Sequence, residues 1–482
     1  MTHARHPCCP PVLDPEFLPA ALWAAEYEAQ CAANAAAAEL VIGLERPDGT
    51  VFQHRTRVLP DHPATAAATG KYLERLVKFL LWQKGGATIY FGGPPALARG
   101  LAAAYRETGA RAFDVETIGR RLFGKPLTVV ACAPGDVPPA RERALRLGRH
   151  LEGCRIGFDL GGSDRKSAAV IDGRVVFSEE VRWDPYFQKD PSYHEQGIRD
   201  SLRRAAAHLP RVEAIGGSAA GCYLDNEVRL GSLYRGLSPE DFERRIRGLF
   251  LRLKAEWGGV PLEIVNDGEV AALAGSMTLN ANALLGISMG TSMAAGYCRA
   301  DGYITTWLNE LAFAPVDFRE DAPVDEWSGD RGCGAQYSSQ QAVARLAPRA
   351  GIELPSDLPL AEQLVEVQRL MEREDPRARR VYETIGGYLG YAIGWYARFY
   401  DLRHVLLLGR VTSGAGGAVI VEQAQRVLAA EFPALAERVR VHLPDETFKR
   451  HGQAIAAASL PEIPPPPAGT DKPTPTGSGS LG

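Results

Sequence analysis

From Ile156 onward the apolar positions alternate with smaller or polar ones through Phe158 and Leu160, which is the period of a half-buried strand. Gly161-Gly162 and a polar tetrad (163–166) break the run, and a second apolar stretch fills 168–171. Asp172-Gly173 then marks a tight hairpin turn, and 175–177 supplies a third strand. Downstream, the pattern predicts a helix over 197–207, a buried strand over 212–217, and a strand ending at Asn266-Asp267 that feeds a helix over 268–275. Two strands around a Gly-Thr turn follow within 284–297, then helices over 336–345, 360–374 and 380–399. A buried strand beginning at 404 leads through a glycine-rich turn into an amphipathic helix ending near 428, and 451–459 forms a small-residue helix. Upstream lie an alanine-rich helical pattern (18–39), a hairpin over 41–58 around Pro47-Asp48-Gly49, and a helix over 69–84. A strand (87–91), a helix (94–107) and a strand (128–133) complete that part. Strands alternating with helices place the chain in the α/β class.

At 482 residues the chain is long enough for roughly three domains of about 150 residues. Residues 1–15, with four prolines, read as a disordered leader, 16–150 as an α/β unit of its own, and 461–482 as a Pro/Ser/Gly/Thr-rich disordered tail. With 54 basic and 58 acidic side chains the net charge is −4, so no nucleic-acid partner is expected. Eight scattered cysteines show no metal-ligand spacing and fit a reducing compartment. No signal pattern opens the chain, and no apolar stretch is long enough to span a bilayer. A cytoplasmic protein with no membrane partner is the expectation.

Candidate chemistry gathers at two places. Asp159, just before the Gly161-Gly162 turn, is placed to hold a hydrated magnesium ion, while the glycines and Ser163 offer close backbone and hydroxyl donors to phosphate. An ordinary hairpin with a solvated polar turn explains the same residues. Asp267 ends a strand and opens a helix; either it or Asn266 caps that helix, or it is a carboxylate poised to accept a proton. Trp183, Tyr186 and His194 lie in an aperiodic aromatic loop that either offers an exposed stacking surface or tucks under the sheet or against the N-terminal region. Glu269 reads as a helix-surface residue, and Arg235 as a surface residue or an anion contact.

Four stretches in order, FDLGGSDRK, IVNDGEVAAL, GISMGTSMAAG and LLLGRVTSGAGG, give the chain a resemblance to the ROK group of sugar kinases. That group belongs to the sugar kinase/actin/chaperone ATPase superfamily, and the resemblance covers roughly residues 154–460. It implies a two-lobed actin-like ATPase (ribonuclease H-like) fold with a nucleotide cleft between lobes 151–283 and 284–460. It further implies ATP and Mg2+ as cofactors, a homodimer, and a small-molecule sugar or polyol as substrate. Asp267 would be the catalytic base. Asn266, Glu310 and Gly221 would contact the acceptor. Asp159, Gly161, Gly162, Ser163, Lys166, Gly290, Thr291, Gly409, Gly414, Gly416 and Gly417 would hold the nucleotide, with Asp159 also the Mg2+ ligand through water. The group's His and Cys cluster for structural zinc is missing: Phe313 stands at the His position and Cys333 is alone, so no zinc site is expected. The alternative is a non-catalytic sugar-sensing or scaffolding relative. Residues 16–150 carry no phosphate signature and read as a dimerisation or substrate-lid module.

Overall fold

The computed structural model describes residues 5–142, 145–355, 357–444 and 452–464. Its centre is a five-stranded sheet built from β5 (Cys154–Leu160), β6 (Asp164–Ile171), β7 (Arg174–Arg182), β8 (Ala214–Ala219) and β11 (Leu262–Asn266), in the order β11-β8-β5-β6-β7. The hairpin strands are antiparallel, and β5, β8 and β11 run parallel. A small ribbon, β9 (Cys222–Leu224) with β10 (Glu227–Leu230), projects between β8 and β11 in the chain. The second lobe repeats the scheme in short form. Its strands β12 (Leu284–Met289), β13 (Met293–Cys298), β14 (His404–Leu408) and β15 (Arg440–His442) lie in the order β13-β12-β14-β15. In both sheets one strand has antiparallel neighbours on one side, two in the first and one in the second, and two parallel strands on the other, which is the two-lobed ribonuclease H-like architecture.

Parallel strands end together, so their C-terminal ends form a row of loops at which ligands of open α/β sheets bind. Register fixes the row here. Asp159 pairs with Ser218, and Ser218 with Val265, so the tips of β5 and β11 lie two strand spacings apart, about 10 Å. Over β5 and β8 lies α7 (Gln453–Ala458), which seats on the sheet only because Gly157 and Gly216 lack side chains. A Cβ on Gly216 would fall 1.7 Å from the Ala457 carbonyl oxygen.

The N-terminal region forms a four-stranded sheet, β2-β1-β3-β4, from β1 (Ala38–Glu45), β2 (Val51–Val58), β3 (Thr88–Gly92) and β4 (Thr128–Cys132). With it come α1 (Ala20–Ala33) and α2 (Pro63–Lys84). The expected unit of its own does not have a core of its own. Leu40, Phe79 and Leu81 belong to one continuous buried cluster with Leu285, Trp395 and Val405 of the second lobe, while the first lobe packs around a different cluster. The physical reason is α2, whose apolar stripe has a second buried face: Phe79 lies 4.2 Å from the Phe399 ring and 5.5 Å from Trp395.

The expected leader also differs. Asp14 is buried and accepts from Arg319 and from the Tyr388 hydroxyl, and the Leu13 amide donates to Thr384, so residues 5–15 are tied to α5 (Pro376–Tyr396). Most of the expected tail, 465–482, lies outside the described residues. Among the described residues no helix is long and apolar enough to cross a membrane.

Candidate active site

Two cavities open at the ends of the parallel strands. The larger, about 840 Å³, lies between the lobes and is lined by Asp159, Lys166, Asp267, Ser288, Gly409 and Gly414 among others. The smaller, about 180 Å³, is lined by Asn266, Glu310, Gly221, Cys222 and Glu269, together with residues of the N-terminal sheet. Asn266 and Asp267 are consecutive, and one faces each cavity.

Asp159 is buried at the end of β5 and accepts a 2.6 Å hydrogen bond from the Ser218 hydroxyl. Burial raises its pKa, which Ser218 and the nearby Lys166 partly offset. Asp267 is the first residue of α4 (Asp267–Thr278), and its Oδ1 accepts from the Gly268 amide at 3.0 Å. Burial, then the charge of Asp159, push Asp267 up to about 6. Two carboxylates whose pKa values are both raised, Asp159 by burial and Asp267 by burial and by Asp159, are a donor set that a cation would stabilise. That fits a hydrated divalent cation, which Mg2+ sites commonly hold with one or two carboxylates plus phosphate and water oxygens. Among the described residues no three His, Cys, Asp or Glu side chains converge on a metal position, so protein groups alone would not complete a coordination shell.

The expected nucleotide residues divide. Gly409 and Gly414 line the cleft with positive φ, at 91° and 71°. Gly161, Gly162 and Ser163 form the turn between two lining residues without lining the cavity themselves. The turn is braced from behind: the Trp183 indole donates to the Gly161 carbonyl at 2.7 Å, and Tyr186 packs directly on Gly162. Lys166 reaches the cleft and pairs with Asp164 at 3.2 Å. Gly290 and Thr291 lie just past Ser288 but not on the cavity wall. Gly290's amide is spent on the Ser292 carbonyl, and its carbonyl accepts from the Gln340 amide. Gly416 and Gly417 are buried in the first turn of α6 (Ala415–Glu431), where Tyr382 and the Thr412 carbonyl leave no room for a Cβ; their role is packing.

On the acceptor side, Asn266 is the helix cap. Its Oδ1 accepts from the Gly268 amide at 2.7 Å and its Nδ2 donates to the Gly221 carbonyl at 2.8 Å. Both ends of the amide are therefore engaged, and it positions the Gly221 turn. Glu310 is half-buried; its Oε1 accepts from the Cys222 thiol at 3.3 Å, and burial, reinforced by Asp267, pushes it up to about 7. Glu269 is not on the surface. It is buried, accepts from Asn309 and from the Tyr297 amide, and is pushed up to about 8 by burial. The signal was present in the sequence: a helix reading EVAALAG is apolar on every face, so an acid within it is buried with it.

The aromatic loop is shorter than the sequence suggested, because α3 (Pro191–Ala206) begins at Pro191 with Asp190 as its cap. His194 is buried in α3 within reach of the Pro185 and Leu233 carbonyls, and Arg235 stacks on Tyr186 at 4.1 Å. Tyr186, with Arg235 stacked on it, braces the Gly161–Ser163 turn. Phe313, at the position where the resembling group carries His, packs at 4.4 Å against Trp82 and 5.4 Å against Phe113 of the N-terminal region.

No family model matches the chain, and no curated protein matches it. Among solved structures it is similar to a ROK hexokinase from Thermus thermophilus, 19% identical, with a TM-score of 0.49 over 64% of this chain and 97% of that one. A ROK family glucokinase from Streptomyces griseus, solved with glucose and AMPPNP, is 18% identical, with a TM-score of 0.49 over 64% and 99%. A ROK family transcriptional regulator, described as a homologue of the E. coli MLC protein, is 18% identical, with a TM-score of 0.48 over 64% and 79%. The chain is thus similar, across about two thirds of its length, to ROK proteins whose descriptions include both kinases and a regulator.

Proposed function

We propose that this protein transfers a phosphoryl group from ATP to a hydroxyl of a sugar or sugar-like polyol, a hexose, amino sugar or cyclitol. The observation that supports it most is the division at 266–267: Asn266 faces a pocket of small-polyol size and Asp267 a cleft of nucleotide size. A carboxylate at that junction is within the geometry a general base needs, since the attacking hydroxyl must meet the terminal phosphate from the opposite side. Burial and the neighbouring acid raise the affinity of Asp267 for the proton it would take, and the α4 N-terminus stabilises its charged form before transfer. Asp159, fixed by Ser218, would hold Mg2+ through water, and the ion when bound supplies charge neutralisation to the phosphates. Gly409 and Gly414 let the backbone approach the nucleoside end.

Asp267→Asn keeps the side-chain shape and removes the base. ATP affinity by calorimetry should stay within about threefold while turnover, followed as ADP release over hexoses, amino sugars, inositols and open polyols, falls by about 10² to 10⁴. Undiminished turnover would remove Asp267 from the reaction. Tight sugar binding by the unmodified protein, with no ADP release for any acceptor, would favour the sugar-sensing reading instead.

A further inference from the structure

The acceptor pocket is not made by the two lobes alone. Arg46, Pro47 and Asp48, from the turn between β1 and β2, and Leu122 and Phe123 line it beside Gly221, Asn266 and Glu310. Their contact with the acceptor segment 305–313 is built into the backbone. The last four carbonyls of any helix lack partners within it. In α2, Gly85 N–H covers the Leu81 carbonyl at 2.8 Å, while the amides of Glu310 and Asn309 donate to the Trp82 and Gln83 carbonyls at 3.0 Å. The Arg46 guanidinium donates to the remaining one, Lys84 O, and to the Thr306 carbonyl at 2.8 Å. The helix end and the segment bearing Glu310 satisfy each other, so the N-terminal sheet cannot move without moving Glu310.

Arg46 also carries an unmet demand. It is 5% exposed, and its Nε has no hydrogen-bond partner; Arg229, across the same pocket, has an unpartnered Nε as well. A buried donor left without a partner is costly. The pocket is lined by the Arg46 and Arg229 side chains on two sides and the Glu310 carboxyl on another, which suits a ligand whose oxygens both accept and donate. The cavity, about 180 Å³, is of the order of one small ring.

We propose that the N-terminal sheet is a fixed wall of the acceptor site. In this arrangement Pro47 limits the acceptor to a single monosaccharide- or cyclitol-sized polyol, and the Arg46 side chain forms the wall beside it. This rests on the kinase reading for the word acceptor, but not for the binding it asserts.

The test uses the full chain and measures binding apart from turnover. Glucose, mannose, glucosamine, myo-inositol and maltose are titrated calorimetrically into the unmodified protein, Arg46→Lys and Pro47→Trp, with ATP titrated in parallel. Arg46→Lys should weaken the best monosaccharide or cyclitol about tenfold, and Pro47→Trp should abolish its binding, with ATP affinity within twofold in both. Cys222 alkylation by N-ethylmaleimide, read by peptide mass spectrometry against the exposed Cys8, gives a readout that needs no ligand. It should slow at least fivefold in Pro47→Trp. If that variant does not fold, Pro47→Gly should act in the opposite sense, with faster alkylation and maltose admitted. Unchanged sugar binding or unchanged Cys222 reactivity in a folded Pro47 variant overturns the wall, even if the protein phosphorylates sugars. Sugar binding that follows these variants without any ADP release upholds the wall and defeats the kinase reading.

Discussion

Asp267 is where burial and charge act in opposition to the ionised form a base requires. Its pKa is raised by burial first and by Asp159 second, to about 6. The sign follows directly. A group whose folded pKa lies above its ordinary 3.8 contributes stability below that value and loses it as pH rises through about 6. In the proposed reaction the dependence runs the other way, because only the deprotonated carboxylate accepts a proton. The acceptor kcat/KM should therefore rise about tenfold per pH unit below about 6 and level off above it. Removing the neighbouring charge in Asp159→Asn should move the inflection downward in whatever activity survives. A profile flat from pH 4.5 to 8 would show that neither burial nor Asp159 governs the reacting group.

At the scale of elements, much was legible because the pattern carried it. The alternation in 156–160, the Asp172-Gly173 turn and the strand ending at Asn266-Asp267 all reappear as β5, the β6–β7 hairpin and β11. Gly409 and Gly414 line the cleft, and positive φ at a strand-to-helix turn is a local property that a glycine in the sequence can mark. What the sequence hid is what depends on a partner far along the chain. Nothing near Gly416 announces Tyr382, nothing near Arg46 announces Thr306, and Asn266 has the same letters as helix cap or as sugar contact. The contact of α7 with the central sheet is of the same kind. Gly216 reads as strand filler, yet the Ala457 carbonyl occupies the space of its absent Cβ. Gly216→Ala must push α7 away from β8, and overpacking of this kind costs about 1–3 kcal/mol. Urea titration should show a loss at the upper end of that range, whereas Gly258→Ala, with open space around it and a positive φ, should show only the smaller cost of its backbone conformation. Equal losses at the two sites would mean that the helix–sheet contact is not the tight one.

For the whole molecule, the question is which parts move together. The continuous buried cluster joins the N-terminal sheet to the second lobe, and a buried charge network reinforces the joint. Lys78 lies 3.0 Å from Asp114 and 3.4 Å from Asp330, and Arg111 lies 2.7 Å from Asp330. Lys78 and Asp114 are fully buried, and three basic groups hold the Asp330 carboxyl well below the usual range. Separating the halves would take Asp330 from Lys78 and Arg111, at about 3–5 kcal/mol for a single broken buried pair, and expose Phe79, Trp395 and their neighbours. A chain cut to 151–482 should therefore be insoluble or molten, and not a smaller kinase. In the full chain, hydrogen exchange should give α2 and α5 the same opening free energy, because neither keeps a core without the other. Earlier opening of α2, with α5 still protected, would mean that the N-terminal region folds onto a finished second lobe. In that case its place in the acceptor pocket would be an addition to a kinase-like body able to stand without it.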